Sequence, residues 1–450
     1  MKAYKKLTIT LLASLLPFIG YAQQQTYSFS LKECIQYGLE HHLSVKVYNN
    51  KVKQARQQYR ESRSAYLPQV TVSAGLDDNI KLQQTVIPAG TFGPDSKEQR
   101  VAFGTQYNST LSAQLNQKIY DQSLIAGIKA SKPNRQLARL QADQNNKDLI
   151  YNIATAYYQI LVTEKQLVLL NKNKDRFQKI LDVTKLRAEK GAAQKVDVQQ
   201  VQVNLNNVLS QIATTNSQLR IAKNTLKNDI GLVSTDSITL NDTKKWLGDA
   251  PLLRAYPKFN YEQTLASQLQ KTKIKLYTYN KKSIKAKIIP TLSFYARYGA
   301  NTMNEALSGL YDPLLDYSSI GIKLDWNIFT GFRRDAQYKD ALLDLHNAKL
   351  NYRLNKTSQK LQYQNAEAQS LQARRTIVSN KENMQLASKV YENTTLQYKQ
   401  GATSLSDLLN AELSYREAQN NYIESLLQYY IADLSVHKAN GTLEQYYNQL

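Results

Sequence analysis

A single cysteine, Cys34, stands in 450 residues, which excludes an intrachain disulfide framework and any cysteine-rich zinc site. Glycine and proline are also scarce, at 16 and 9 residues, about half of the roughly 12% that chains usually carry. So few breakers mean long uninterrupted elements. Beyond the N-terminus no stretch approaches the roughly 20 apolar residues of a spanning helix, which argues against a helical membrane bundle. Intrinsic disorder is excluded by 42% hydrophobic residues and 31 tyrosines. Chemistry is poorly equipped. No phosphate-binding glycine loop or two-histidine metal helix occurs, and His41, His42, His346 and His437 are scattered or merely adjacent. The chain reads as no enzyme, without cofactor or metal.

The formal charge of +22 by itself suggests a nucleic-acid partner. Residues 1–22 oppose that reading. Lys2, Lys5 and Lys6 precede an apolar run from Leu7 to Ile19 and then Gly20-Tyr21-Ala22, the layout of a cleaved signal peptide with cleavage before Gln23. An exported chain has little access to nucleic acid. Cys34 lies well past the cleavage site with no small-residue box before it, so it reads as a buried thiol on an amphipathic helix and not as a lipid anchor.

The chain is written twice. Lys190-Gly191-Ala192 matches Gln400-Gly401-Ala402, Asp197 matches Asp407 and Gly231 matches Gly441, all at an offset of 210. Ile119-Tyr120 matches Ile328-Phe329 at 209, and Leu67-Pro68 matches Ile289-Pro290 at 222. Each half repeats a helix, a strand, a loop, a second strand and two long helices. The first repeat covers 23–231, with strands at about 69–76 and 105–117. The second covers 260–441, with strands at about 291–299 and 318–329. An irregular linker, 232–259, with Trp246, Pro251 and Pro257, joins them, and 442–450 form a C-terminal tail.

The clearest periodicity runs through Leu408, Ala411, Tyr415, Ala418, Tyr422, Ser425, Tyr429, Ala432, Val436 and Ala439, a heptad seam. Subtracting 210 lands on Val198, Val201, Leu205, Val208, Ile212, Thr215, Leu219, Ala222, Leu226 and Asp229, apolar at eight of ten positions. The preceding helix, from about Gln122 to Lys190, would extend roughly 100 Å. The strands follow a period of two. Ile320, Ile322, Leu324, Trp326 and Ile328 alternate with Ser319, Gly321, Lys323, Asp325 and Asn327, while Val70, Val72, Ala74 and Leu76 alternate with polar or small residues. Leu292, Phe294, Ala296 and Tyr298 form a third set, and Tyr107, Leu111, Ala113 and Leu115 a weaker fourth. Such strands suit either a membrane barrel or a soluble sheet lying on the helices. Four cannot close a barrel in lipid, where roughly eight are needed, so a membrane form must oligomerise. Loops 77–104 and 301–316 would then join the strand pairs at the cell exterior.

With the signal peptide and the duplicated plan on the page, the segment Tyr398-Lys-Gln-Gly401-Ala-Thr403-Ser-Leu-Ser-Asp407-Leu-Leu-Asn410-Ala resembles the TolC family of outer-membrane efflux ducts. Its most specific piece is the glycine turn followed six residues later by aspartate, in both halves, a pair that no general helix rule requires. The resemblance implies a mixed α and β membrane protein of the Gram-negative outer membrane with a large periplasmic part. It implies a homotrimer whose chains each give four strands to one transmembrane β-barrel of about twelve, continued by a periplasmic α-helical coiled-coil barrel. Function follows as the exit duct of a tripartite efflux or type I secretion system, joined to a periplasmic adaptor (membrane fusion) protein and an inner-membrane transporter. A non-channel structural or adhesive coiled-coil protein is the alternative, although it has no use for the alternation from Ile320 to Ile328.

Site residues carry over by position. Gly191, Ala192, Gly401 and Ala402 mark the hairpin tips, which are either simple turns or adaptor docking points. Asp407 is expected to face the lumen, and Tyr398 to latch onto Asp197 of the neighbouring hairpin. Asn410 stands where a second lumen acid is expected and Thr403 where a latch arginine is. Lys51, Lys53, Arg60 and Arg63 correspond to Lys273, Lys275, Lys282 and Lys285 at an offset of 222. They read as solvated helix faces or as a collar on outer-membrane lipid.

Overall fold

The computed structural model describes residues 26–91, 93–95, 97–232, 236–242, 256–309 and 312–450. The expected signal peptide, Trp246 and Pro251 lie outside them. The elements in chain order are β1 (Thr26–Phe29), α1 (Leu31–His41), α2 (Leu43–Ser64), β2 (Gln69–Asp78), β3 (Gln84–Ile87), β4 (Gln99–Ala102), β5 (Tyr107–Tyr120), α3 (Gln122–Glu189) and α4 (Lys195–Ile230). Then follow β6 (Ser237–Leu240), α5 (Leu265–Ala286), β7 (Thr291–Asn304), β8 (Leu315–Asp325), α6 (Arg333–Lys399), α7 (Leu405–Asn440) and α8 (Leu443–Asn448). Two compact units result. One takes Asp143–Thr264, Ser358–Leu450 and the chain up to Val47, and the other takes Tyr48–Ala142 and Leu265–Thr357.

Among the described residues the first unit has one pair of strands, parallel, in which β1 residues Thr26–Phe29 face β6 residues Ser237–Leu240, and is otherwise mainly helical. In α4 and α7 the seam is the buried face. Val201, Leu205, Val208, Thr215, Ala222 and Leu226 are buried on α4, and Leu408, Ala411, Tyr422, Ser425, Tyr429, Ala432 and Val436 on α7. Each large side chain removed from water there contributes about 1.5–3 kcal/mol. The largest core gathers Leu31, Cys34 and Ile35 of α1 with Ile153, Tyr157, Ile160 and Leu161 of α3, Leu226 and Ile230 of α4, and Leu434 of α7. Cys34 is fully buried, and burial pushes its thiol pKa up, with Asp242 and Glu33 adding to it. It is a core side chain.

The second unit carries a four-stranded antiparallel sheet in the order β2-β5-β7-β8, so β2 and β8 are its edges. Its register decides what the alternation means. Val70 and Val72 sit opposite Leu115 and Ala113, these opposite Ala296 and Tyr298, while Ala296, Phe294 and Leu292 face Ile320, Ile322 and Leu324. One face is therefore apolar across all four strands. Thr71, Gln114, Arg297 and Ser319 run across the other, where Arg297 Nη2 donates to Gln114 Oε1 at 3.0 Å. On that polar face Tyr295 lies over Gly321 and Tyr317 over Gly299, each phenol within 2.8 Å of where a Cβ would stand, so a side chain at either glycine would displace the tyrosine.

Several boundaries differ from the sequence reading, each for a local reason. The first helix is two, because His42 is extended and its Nδ1 accepts the Ser44 N–H at 3.2 Å, breaking the spiral. The alternation through Trp326 and Ile328 outlasts the sheet. Strand β8 stops at Asp325, and the Trp326 indole donates instead to Ile288 O at 3.1 Å. The loop from 77 to 104 holds the hairpin β3-β4. The C-terminal tail includes α8, whose Leu443 and Tyr446 are buried in the core. Among the described residues no helix is long and apolar enough to cross a membrane.

Candidate functional site

The two hairpin turns of the helical unit are built alike. Gly191 and Gly401 both take a φ of 77°, a left-handed conformation that costs other residues about 1–2 kcal/mol. Ahead of Gly191, Ala188 O accepts the Gly191 N–H at 3.0 Å and Arg187 O accepts the Ala192 N–H at 2.7 Å. At the second turn Tyr398 O accepts the Gly401 N–H at 3.0 Å and Gln397 O the Ala402 N–H at 2.9 Å. This paired bonding satisfies the last carbonyls of each helix. Three residues on, Gln194 and Ser404 start the returning helices, and three further on Asp197 and Asp407 reach back to them. Asp197 Oδ2 accepts the Gln194 N–H at 2.9 Å, and Asp407 Oδ2 accepts the Ser404 hydroxyl at 2.6 Å and its N–H at 3.3 Å.

The spacing from glycine to aspartate is thus a helix stop followed by a helix start. A general rule does require it, contrary to the sequence reading: glycine closes one helix, and an acid in the first turn caps the next. At the second tip Thr403 also donates its hydroxyl to Asp407 Oδ2, at 3.0 Å. The Ser404 hydroxyl, then Thr403, then the Ser404 N–H hold the Asp407 carboxyl below its ordinary value. Asp407 is exposed, as are Asn410 one turn later and Ala192 and Ala402 at the tips.

Tyr398 does not meet Asp197 in the chain. It is 5% exposed and belongs to a cluster with Phe177, Ile180 and Leu181 of α3, Val201 and Leu205 of α4, and Leu405 and Leu408 of α7. Its hydroxyl lies 3.4 Å from Thr184 Oγ1, which already donates to Ile180 O at 2.8 Å, so Tyr398 is the donor. The Arg187 guanidinium covers the Tyr398 ring at 4.7 Å and donates through Nη1 to Tyr398 O at 3.3 Å. Within one chain Tyr398 points at α3, and the Asp197 carboxylate is held by its own turn. Thr184 and Arg187 went unseen in the sequence. The signal for Arg187 is a basic residue in the last turn of α3, where it can reach carbonyls at a helix end.

Deeper along the same helices a polar layer crosses the seam. Tyr391 and Tyr415 stack on each other at 5.9 Å, Arg176 sits beside the pair, 5.3 and 5.0 Å from the two rings, and its Nη2 is 3.9 Å from Glu412 Oε1. Arg176 also donates to Asn173 Oδ1, and Asn173 Nδ2 donates to Gln419 Oε1 at 3.2 Å. The Glu412 side chain is 1% exposed. Burial raises its pKa, opposed by Arg416 and Arg176. Among the described residues no cluster of three or more His, Cys, Asp or Glu side chains could hold a metal ion.

Comparison with known proteins bears on this arrangement. The family model described as outer membrane efflux protein matches residues 34–232 and 268–442, most of the chain. No curated protein matches it. Among solved structures the chain is similar to CusC, studied for its transmembrane channel formation, with 16% identity, 92% of each chain covered and a TM-score of 0.72. The outer membrane protein VceC from Vibrio cholerae is 16% identical over 91% of this chain and 96% of its own, with a TM-score of 0.71. The Campylobacter jejuni CmeC outer membrane channel is 18% identical over 92% of this chain and 85% of its own, with a TM-score of 0.72. The chain belongs to the outer membrane efflux protein family.

Proposed function

We propose that three copies of the chain close one transmembrane barrel of about twelve strands, continue it as a periplasmic helical duct, and receive cargo from an inner-membrane transporter through a periplasmic adaptor. The observation that carries this reading is the sheet. Its register lines up Val70, Val72, Leu115, Ala296, Phe294, Ile320 and Ile322 on one face, where Ile320, Ile322, Val70 and Val72 are all more than half exposed, and β2 and β8 are edges without a partner strand among the described residues. An open edge cannot persist in lipid, so β8 of one copy should pair with β2 of the next. The duplicated order of elements then gives each chain two equivalent hairpins around the duct. Mass measurement of the detergent-extracted protein should return three chains per particle. A stable monomer would sink the barrel.

The adaptor docks at the tips marked by Gly191, Ala192, Gly401 and Ala402, and the duct closes beside them. In a trimer Asp407 recurs as a ring of three carboxylates with neutral Asn410 one turn away, and clustered like charges favour multivalent cations. Asp407→Asn keeps a side-chain oxygen for the helix cap and deletes only the charge. The variant should lose cation selectivity and block by trivalent cations in single-channel recordings, with little change in fold. The Ser404 and Thr403 bonds lower the carboxyl pKa in each chain while crowding three carboxylates raises it, so wild-type selectivity should fall in steps as acidification protonates the ring. Unchanged selectivity in the variant removes Asp407 from the constriction.

A further inference from the structure

Where the sheet meets its helices, the short segment between β8 and α6 departs from ordinary backbone rules. Gly331 and Phe332 both adopt positive φ, 58° and 61°, and Phe332 is the single non-glycine residue to do so among the described residues. A bulky side chain in that region is strained, and such strain persists where the surroundings have a use for it. Here it turns the phenyl outward. Phe332 is 76% exposed and meets Phe329, itself 75% exposed, edge to face at 5.6 Å. Ile328 and Ile288 beside them are 72% and 53% exposed. These four line a groove of about 540 Å³ whose remaining wall includes Lys285, Arg334 and Asp335.

Lys285 also borders a second groove of about 430 Å³, together with Lys129, Lys282, Tyr279 and Ile289. The acids nearby are already engaged. Asp335 pairs with Lys339 at 2.8 Å and Asp325 with Lys323 at 3.0 Å. Arg333 and Arg334 open α6, the end of a helix where the macrodipole disfavours cations, and Asp335 in the same turn offsets only part of their charge. Arg334 offsets part of that by donating to Asn327 O at 2.9 Å. An anion from outside the chain would relieve the rest.

We infer that these adjoining grooves form a binding site for an anionic phospholipid, its phosphate held between Lys285, Arg334 and Lys282 and its acyl chains laid against Ile288, Ile328, Phe329 and Phe332. The inference rests on the reading that the sheet spans the membrane, and it places the site at the periplasmic end of the strands. Charge complementarity selects the occupant: Lys285, Lys282 over the Tyr279 ring and Arg334, none of them in a salt bridge among the described residues, rim an apolar floor that a soluble anion could not use and a zwitterionic lipid would satisfy less well. Strain that exposes one phenyl ring has a purpose if that ring anchors the site at the level of the headgroups.

The full-length protein, extracted in detergent, is incubated with phosphatidylglycerol or with phosphatidylcholine, and retained lipid is counted by native mass spectrometry. Phosphatidylglycerol should be held preferentially. Each cation near an anionic headgroup is worth about fivefold in retention, so Lys285→Gln with Lys282→Gln should lower it roughly 25-fold. Phe332→Gly, which relaxes the backbone, should lower retention of both lipids, and Lys360→Gln, on an exposed stretch of α6, should change neither. Equal retention of the two lipids, undiminished retention in the double variant, or displacement by inorganic phosphate would overturn the site. So would a change in subunit number in place of lipid loss, since the groove would then be a seam between copies. A chain that never enters the membrane fraction sinks the membrane reading and this site with it, whereas a membrane-resident trimer without lipid preference sinks this site alone.

Discussion

Replacing Arg176 by alanine should loosen the junction between the two hairpins more than any other single charge deletion in the helical unit. The change strips Glu412 of a cation while leaving its carboxyl buried, 1% exposed, and breaking a buried pair from one side costs about 3–5 kcal/mol. The stacked rings of Tyr391 and Tyr415 also lose the guanidinium beside them. Hydrogen exchange measures the effect: at about 3 kcal/mol, amides flanking residues 176 and 412 should lose roughly 150-fold in protection. Replacing both partners by apolar residues, Arg176→Met with Glu412→Leu, should restore most of it, because neither charge is then left behind.

The pH dependence of this layer has a definite sign. Glu412 is an acid whose folded pKa is raised above 4.5 by burial. Between the unfolded and folded values the native state binds more protons, so stability rises as the pH falls through the folded pKa, and the gain is complete below 4.5. Arg176→Ala should widen that window upward, since it removes one of the two cations that hold the pKa down. The deficit of the variant should therefore shrink on acidification. A loss independent of pH would mean that packing of the two tyrosines, and not the charge pair, holds the layer.

What was legible in the sequence follows from how far apart the cooperating residues lie. The seams of α4 and α7 could be read because a heptad declares its buried face within one helix. The apolar face of the sheet could be read because a period of two declares it within one strand. Ends were harder, since they depend on the partner strand: Trp326 continues the alternation, yet β7 begins at Thr291 opposite Asp325, after Pro290, and the ladder is already over. The capping role of Asp197 and Asp407 was local and readable, but the resemblance drew attention to the lumen instead. Arg176 with Glu412, and Thr184 with Tyr398, were out of reach, because each pair joins helices more than 200 residues apart in sequence and neither partner breaks its own periodicity.

Tyr398 offers the largest functional effect at the tips. The ring is 5% exposed inside a cluster with Phe177, Leu181 and Leu408, and truncating such an aromatic costs about 3–5 kcal/mol. If the tips close the duct, Tyr398→Ala should raise resting conductance and admit large antibiotics that the wild type excludes. Tyr398→Phe deletes only the 3.4 Å contact with Thr184, worth about 1 kcal/mol at most, and should leak far less. Arg187→Ala should fall between them, losing both the ring contact and the bond to Tyr398 O, about 1–2 kcal/mol together. Partners reveal themselves by non-additivity. Arg187→Ala should add little to Tyr398→Ala, because the platform for the guanidinium has already gone. Asp197→Ala acts on the cap of α4 instead, so its effect and that of Tyr398→Phe should sum. If Asp197→Ala and Tyr398→Phe instead each open the duct and fail to add, the assembled tips must rearrange to bring that phenol onto that carboxylate, and the Arg187 and Thr184 contacts belong to the isolated chain.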